Sequence, residues 1–300
     1  MEKIPFQLLC TQAWRASITH KLAWIFGCII AGASALNIRL SQDIPNITTS
    51  DTLQTVLQTK SPREWLVFLL ILIVLFLVRI FGNSNLVASL ASLADKANLY
   101  NYPRTLRAVW NNFFRVLLLE GLLLIFLSVV IGIISFPLII AVSNNFGAIR
   151  LLGALGLLTF IPIACIVFFI RQYAIFYLLF SFPLTLRGSL ETSSALFLRS
   201  VVPSLLFGLF SLGITLFFAL GLNILIASAL ALVQILSLPL TESAIAFALS
   251  FILLAWFTIF QQALWIAFFK NIASTPDAKQ TTKKTEEVPS DNIPETPPVQ

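Results

Sequence analysis

From residue 201 to residue 238 the sequence is apolar almost without interruption, and five more apolar runs lie at 22–38, 65–81, 116–142, 151–170 and 244–269. An α-helix needs about 20 residues to cross a hydrocarbon core, so each run is long enough to span or nearly so. Composition points the same way: 58% of the residues are hydrophobic and 11% charged, against about 25% charged in soluble proteins. The expected fold is all-α, a polytopic bundle of six transmembrane helices at 22–38, 65–81, 116–142, 151–170, 201–227 and 244–269. The end of the fifth span is open, and Pro239 is a natural break before the sixth.

Lys and Arg divide unevenly between the connections. Lys3, Arg15 and Lys21 precede the first run; Arg79, Lys96, Arg104, Arg107 and Arg115 follow the second; Arg171, Arg187 and Arg199 follow the fourth; Lys270, Lys279, Lys283 and Lys284 follow the sixth. The opposite side holds Arg39, Lys60, Arg63 and Arg150. Cytoplasmic loops carry the positive excess, so fifteen cations against four place both termini in the cytoplasm. The same rule accounts for a net charge of +6 and a pI of 9.5 without nucleic acid as a partner. Ala33, Ser34 and Ala35 have the spacing of a signal-peptidase site, and cleavage would leave five spans in the same orientation. Residues 1–21 are long for an n-region, however, and Phe6, Leu9, Ala13 and Ala16 have helical periodicity. An uncleaved anchor preceded by an interfacial helix at 1–21 is expected.

The cytoplasmic connections read as amphipathic helices on the membrane surface. Leu86, Leu90, Leu93 and Ala97 form one apolar stripe; after Tyr102 and Pro103, a second helix carries Leu106, Trp110 and Phe113 on one face. Arg104, Arg107 and Arg115, with Arg187 and Arg199 in the later connection, are placed to meet lipid headgroups. Pro103 to Arg107 is echoed by Pro183 to Arg187, a helix-pair theme of low specificity. On the other side, Ser50 or Asp51 is positioned to cap a short helix with Leu53, Val56 and Leu57. The sequon at Asn46 has meaning only in a eukaryotic secretory compartment. Residues 271–300, with five prolines and no apolar periodicity, read as a disordered cytoplasmic tail after a membrane domain at 22–270.

Catalysis would need clustered acids, bases or nucleophiles, and none is legible. There is one histidine, His20, and Cys10, Cys28 and Cys165 are far apart, so no metal, cofactor or disulfide framework is indicated. The intramembrane polar candidates are Glu120, Asn223, Gln261 and Gln262. Glu120 reads as one half of a shallow ion pair with Arg115, Arg79 or Arg171, ahead of a proton relay; the amides read as hydrogen bonds between helices. Gly27, Ala31 and Ala35 in the first span, and Ala244, Ala246, Ala248 and Ser250 in the sixth, form small-residue faces for close packing within the chain or between protomers. Gly153 and Gly156 read as packing residues too.

Arg171, Gln172, Tyr173 and Ala174 close a span, residues 186–197 follow with Ser189, Glu191, Ser193 and Ser194, and Arg199 enters the next span. This arrangement resembles bacterial six-helix inner-membrane families, including YciC-like proteins and the membrane domain attached to some glycerophosphodiester phosphodiesterases. The likeness is architectural, over residues 5–270, and carries no functional residues with it; the phosphodiesterase catalytic domain is missing. It implies a bacterial cytoplasmic membrane and a non-catalytic role in envelope upkeep. The expected function is binding of lipid, anionic lipid included, or of a membrane-protein partner or second copy. The alternative is a small-solute or lipid transporter, with a membrane-embedded enzyme behind it.

Overall fold

The computed structural model describes residues 6–42, 62–94, 102–144, 147–180, 184–235 and 242–274, and every regular element among them is an α-helix. In chain order these are α1 (Phe6–Thr19), α2 (Lys21–Gln42), α3 (Pro62–Ala94), α4 (Tyr102–Asn144), α5 (Gly147–Phe180), α6 (Leu186–Arg199), α7 (Val201–Ile235) and α8 (Glu242–Ala273). Five contain stretches long and apolar enough to cross a membrane: Leu66–Ala91, Val109–Ile134, Leu158–Phe180, Val201–Val233 and Ala244–Ala273. A sixth results if α1 and α2, bent by 92° at their junction, count as one span. The chain is thus a multi-pass helical membrane protein.

Several boundaries differ from the sequence expectation. Residues 82–94 do not form a separate surface helix; they continue α3, and Leu86, Val87 and Leu90 are buried in the core. Likewise α4 runs from Tyr102 through the third apolar run without a break. Its buried stripe is Val109, Asn112, Val116, Leu119 and Leu123, whereas Trp110 is 66% exposed. Trp110 meets the edge of Phe81 on α3 and stacks on Phe113, which packs against the core; the Leu106 side chain lies outside the described residues. The Pro103 and Pro183 segments are therefore not equivalent, since only the second leads into a separate helix. There, Thr185 caps α6 by accepting from Gly188 N–H, and the chain breaks at Ser200. Pro203 suits that break: it has no N–H to bond the Arg199 carbonyl and sits in the first turn of α7, where none is needed. α5 continues past residue 170 to Phe180, and α8 runs to Ala273. The loop cap at Ser50 or Asp51, Asn46, Ala97, Pro239 and the tail from residue 275 lie outside the described residues.

Helix α8 is the hub, packing against α1, α2, α3 and α7. Its aromatic side chains stack with those of neighbouring helices, Phe268 on Phe207 at 3.9 Å between centroids and Phe257 on Phe218 at 4.0 Å. Phe169, Tyr173 and Phe176 of α5 join the same core, and Leu9 and Ala13 tie in α1. A second core of Ile80, Val116, Leu119, Leu123, Ala174, Ile175 and Leu178 joins α3, α4 and α5. Phe81 of α3 meets Phe113 of α4, while Phe76 lines a cavity with Leu127, so α3 and α4 run antiparallel. Both cores lie toward one end of the bundle. Toward the other end, Leu66 to Val74, Leu124 to Ile133 and Leu155 to Ile166 include most of the exposed large apolar side chains of α3, α4 and α5. Buried cores hold one end tightly, while the large apolar side chains toward the other end are mostly exposed.

Small residues permit the tight end, as the close approach of α2 to α8 shows. A Cβ on Gly27 would lie 2.8 Å from Ile259 Cγ1 and 3.0 Å from the Ala255 carbonyl oxygen, and backbone cannot yield as a side chain can. Ala31 is buried beside it, so this small-residue face packs within the chain. At the other end a Cβ on Gly156 would lie 3.0 Å from Ile134 Cγ2 of α4, so α4 and α5 are in close contact there as well. We predict that Gly27→Val lowers unfolding stability in detergent by about 1–3 kcal/mol, the usual range for overpacking. Gly213→Ala on α7, with nothing within 4 Å of the added atom, leaves the thermal midpoint unchanged.

Candidate functional site

Five helices each turn one face toward a cavity of about 710 Å³. Helical spacing selects the lining: Ile30 and Ser34 on α2; Phe76, Arg79, Ile80 and Asn83 on α3; Phe168, Arg171 and Gln172 on α5; Thr258, Gln261, Gln262 and Trp265 on α8. α4 contributes Glu120, Leu123, Leu124, Leu127, Ser128 and Ile131. Leu124 and Ile131 line the cavity and are still about half exposed, so it is open on the α4 side. Its charged and amide groups gather at the tight end, and the wall beyond them is largely apolar with the hydroxyls of Ser34, Ser128 and Thr258 set into it.

The Glu120 carboxylate is buried and held by Arg171 across the α4–α5 contact. Arg171 Nε donates to Glu120 Oε2 at 2.6 Å and Nη2 donates to Oε1, a bidentate pair. Of the three cations within sequence reach, geometry selects this one. Arg115 is occupied elsewhere, donating to the Leu184 carbonyl at 3.3 Å and to Asn112 Oδ1 at 3.4 Å. Arg79 lines the cavity too, yet its guanidinium has no ion-pair or hydrogen-bond partner among the described residues. With Arg79 and Arg171 against Glu120, the lining carries one positive charge in excess.

A chain of amides crosses the tight end. Gln172 Nε2 donates to Gln262 Oε1 at 3.2 Å, and Gln262 Nε2 donates to Asn83 Oδ1 at 2.9 Å, joining α5, α8 and α3. Gln261 Nε2 reaches Thr215 Oγ1 of α7 at 3.3 Å. Asn223 does not act between helices: its Nδ2 donates to the Ala219 carbonyl of its own helix at 2.8 Å and the residue is exposed. The remaining candidates do not converge. Arg107 and Arg199 are exposed, and exposed Arg187 pairs with Glu191 one turn on at 2.7 Å, a contact that raises the guanidinium pKa. The Arg104 side chain lies outside the described residues.

Sequence reasoning missed Arg79, Asn83 and Gln172 as lining groups. Arg79 and Asn83 are four residues apart, a helical spacing hidden by the expectation that the span ended near residue 81. A buried hydrogen bond, Tyr173 Oη to Ser204 Oγ at 2.7 Å, was also unforeseen; it fixes α5 against the start of α7.

The arrangement can bind an anion and hydrogen-bond polar groups, and its only carboxylate is committed to Arg171. Removing one member of a buried pair strands the other charge at a cost of about 3–5 kcal/mol. Arg171→Met should destabilise the protein by that order, Glu120→Gln by less, and the double variant by less than the sum, as read from a double-mutant cycle of unfolding in detergent. A scan of protein-family models, a search of curated proteins and a search of solved structures each found no match to this chain.

Proposed function

We propose that this protein binds a membrane lipid in the lateral cavity, without chemistry on it, from a bacterial cytoplasmic membrane in which both termini are cytoplasmic. The cavity carries the reading: a polar end and an apolar wall side by side, open along α4 to the surrounding bilayer. That combination suits a molecule with a polar head and an apolar tail. The excess of cations on one set of connections supports the orientation, which would put the polar end toward the cytoplasmic leaflet. Exposed Arg107, Arg187 and Arg199 support further contact of that face with anionic headgroups. The likeness to six-helix inner-membrane families supports a role in envelope upkeep.

A transporter of lipid or small solute is the second reading, favoured by the opening of the cavity along α4. Two assays separate the readings. Native mass spectrometry of the protein released from bilayer nanodiscs should show retained lipid, and Leu127→Trp, which fills the apolar wall, should reduce retention about tenfold, a change of 1.4 kcal/mol. Equal retention by both proteins would sink the lipid-binding reading. Lipid scrambling in proteoliposomes that is lost in Leu127→Trp would establish transport instead.

A further inference from the structure

Arg79 is the charge that the protein leaves unanswered. Arg79 is exposed at the end of an apolar stretch of α3, where its guanidinium is stabilised by water or by an anion. The one carboxylate that lines the cavity among the described residues, Glu120, already has both oxygens engaged by Arg171. One turn along α3, Asn83 accepts from Gln262 through Oδ1, while its Nδ2 has no partner among the described residues. Two unused donors on one helical face, one of them charged, border the same space.

The rest of the wall constrains what their acceptor can be. From Glu120, Leu127 and Ile131 follow along α4 at roughly 10 and 16 Å by helical rise, and Phe76 lies one turn from Arg79 in the same direction because α3 and α4 are antiparallel. A free anion would have no use for this apolar track. A zwitterionic headgroup would bring a cation to a lining that already carries one positive charge in excess, which favours a headgroup of net negative charge. Arg presents paired N–H donors that match phosphate oxygens bidentately.

We infer that the cavity is a seat for a phospholipid of net negative charge, with its phosphate at Arg79 and Asn83 and one acyl chain along Phe76, Leu127 and Ile131. This rests on the lipid-binding reading and adds the headgroup class to it. Arg79 supplies charge selectivity; the apolar track supplies affinity common to all lipids.

The test uses the full-length protein in nanodiscs of phosphatidylglycerol and phosphatidylethanolamine in equal proportion, with retained lipids identified by native mass spectrometry. Wild type should favour phosphatidylglycerol about tenfold. Arg79→Gln should abolish the preference, lowering phosphatidylglycerol retention more than phosphatidylethanolamine retention; Arg79→Lys should keep part of it, and Arg15→Gln, at an exposed arginine on α1, should not alter it. Circular dichroism and gel filtration check that each variant is folded; should Arg79→Gln misfold, Arg79→Lys and Asn83→Leu, both with a weakened preference expected, decide the matter. Absence of preference in wild type, or a preference indifferent to the folded variants, overturns the inference. Displacement of phosphatidylglycerol by inorganic phosphate alone would make the site a phosphate site, and preferential displacement by oleate would make it a carboxylate site; either result also overturns it. If Leu127→Trp empties the cavity while wild type shows no preference, lipid binding stands and only the headgroup assignment falls. If neither Leu127→Trp nor Arg79→Gln changes anything, both fall.

Discussion

A carboxylate and a guanidinium facing one another within apolar helices fix the geometry of this protein. In hydrocarbon, helices gain little from apolar contact as such, because lipid tails are as apolar as leucine. Register must come from close packing and from polar groups that have few alternatives. Glu120 and Arg171 set the height at which α4 meets α5, and Leu119, Leu123, Ala174 and Ile175 close around the pair. Gln172, the next residue, turns to α8 and through Gln262 to α3, so one short stretch of α5 indexes three other helices.

Packing reinforces that end of the bundle. Phe169, Tyr173 and Phe176 are wholly or almost wholly buried, and aromatic stacks join α7 to α8 at two levels. Gly27 and Gly208 let neighbours approach where a methyl group would collide: an added Cβ at Gly208 would meet the Phe169 ring at 2.6 Å. The cavity lies beside this tightly packed end, lined by five helices.

How much of this was legible in the sequence depends on the physical signal each feature leaves. Apolar length marks spans well, because hydrophobic thickness leaves little latitude. It does not say whether the helix stops when the apolar run stops. Residues 83–85, Asn-Ser-Asn, look like a loop on composition, yet they stay helical because Asn85 bonds back to the Phe81 carbonyl and the segment is buried against neighbours. Treating that stretch as a connection concealed the face on which Arg79 and Asn83 lie. Glu120 was recognisable because an acid in an apolar run is rare, but choosing among Arg79, Arg115 and Arg171 needed the packing of α4 on α5. Asn223 was misread for the opposite reason: an amide on a helix rim can satisfy one donor on its own backbone and need no neighbour.

Helix α7 occupies a different position from the rest. It is held chiefly along α8, with Ser204, Phe207 and Ser211 turned inward while Leu209, Phe217, Leu220 and Ile224 face outward. Outward positions on such a helix answer to hydropathy alone, not to shape. Related sequences are free to drift there among leucine, isoleucine, valine and phenylalanine, whereas the α5 stretch from Phe169 to Leu178 must change in concert with three neighbours or not at all. The two helices are similar in length and apolarity, but they should diverge at very different rates.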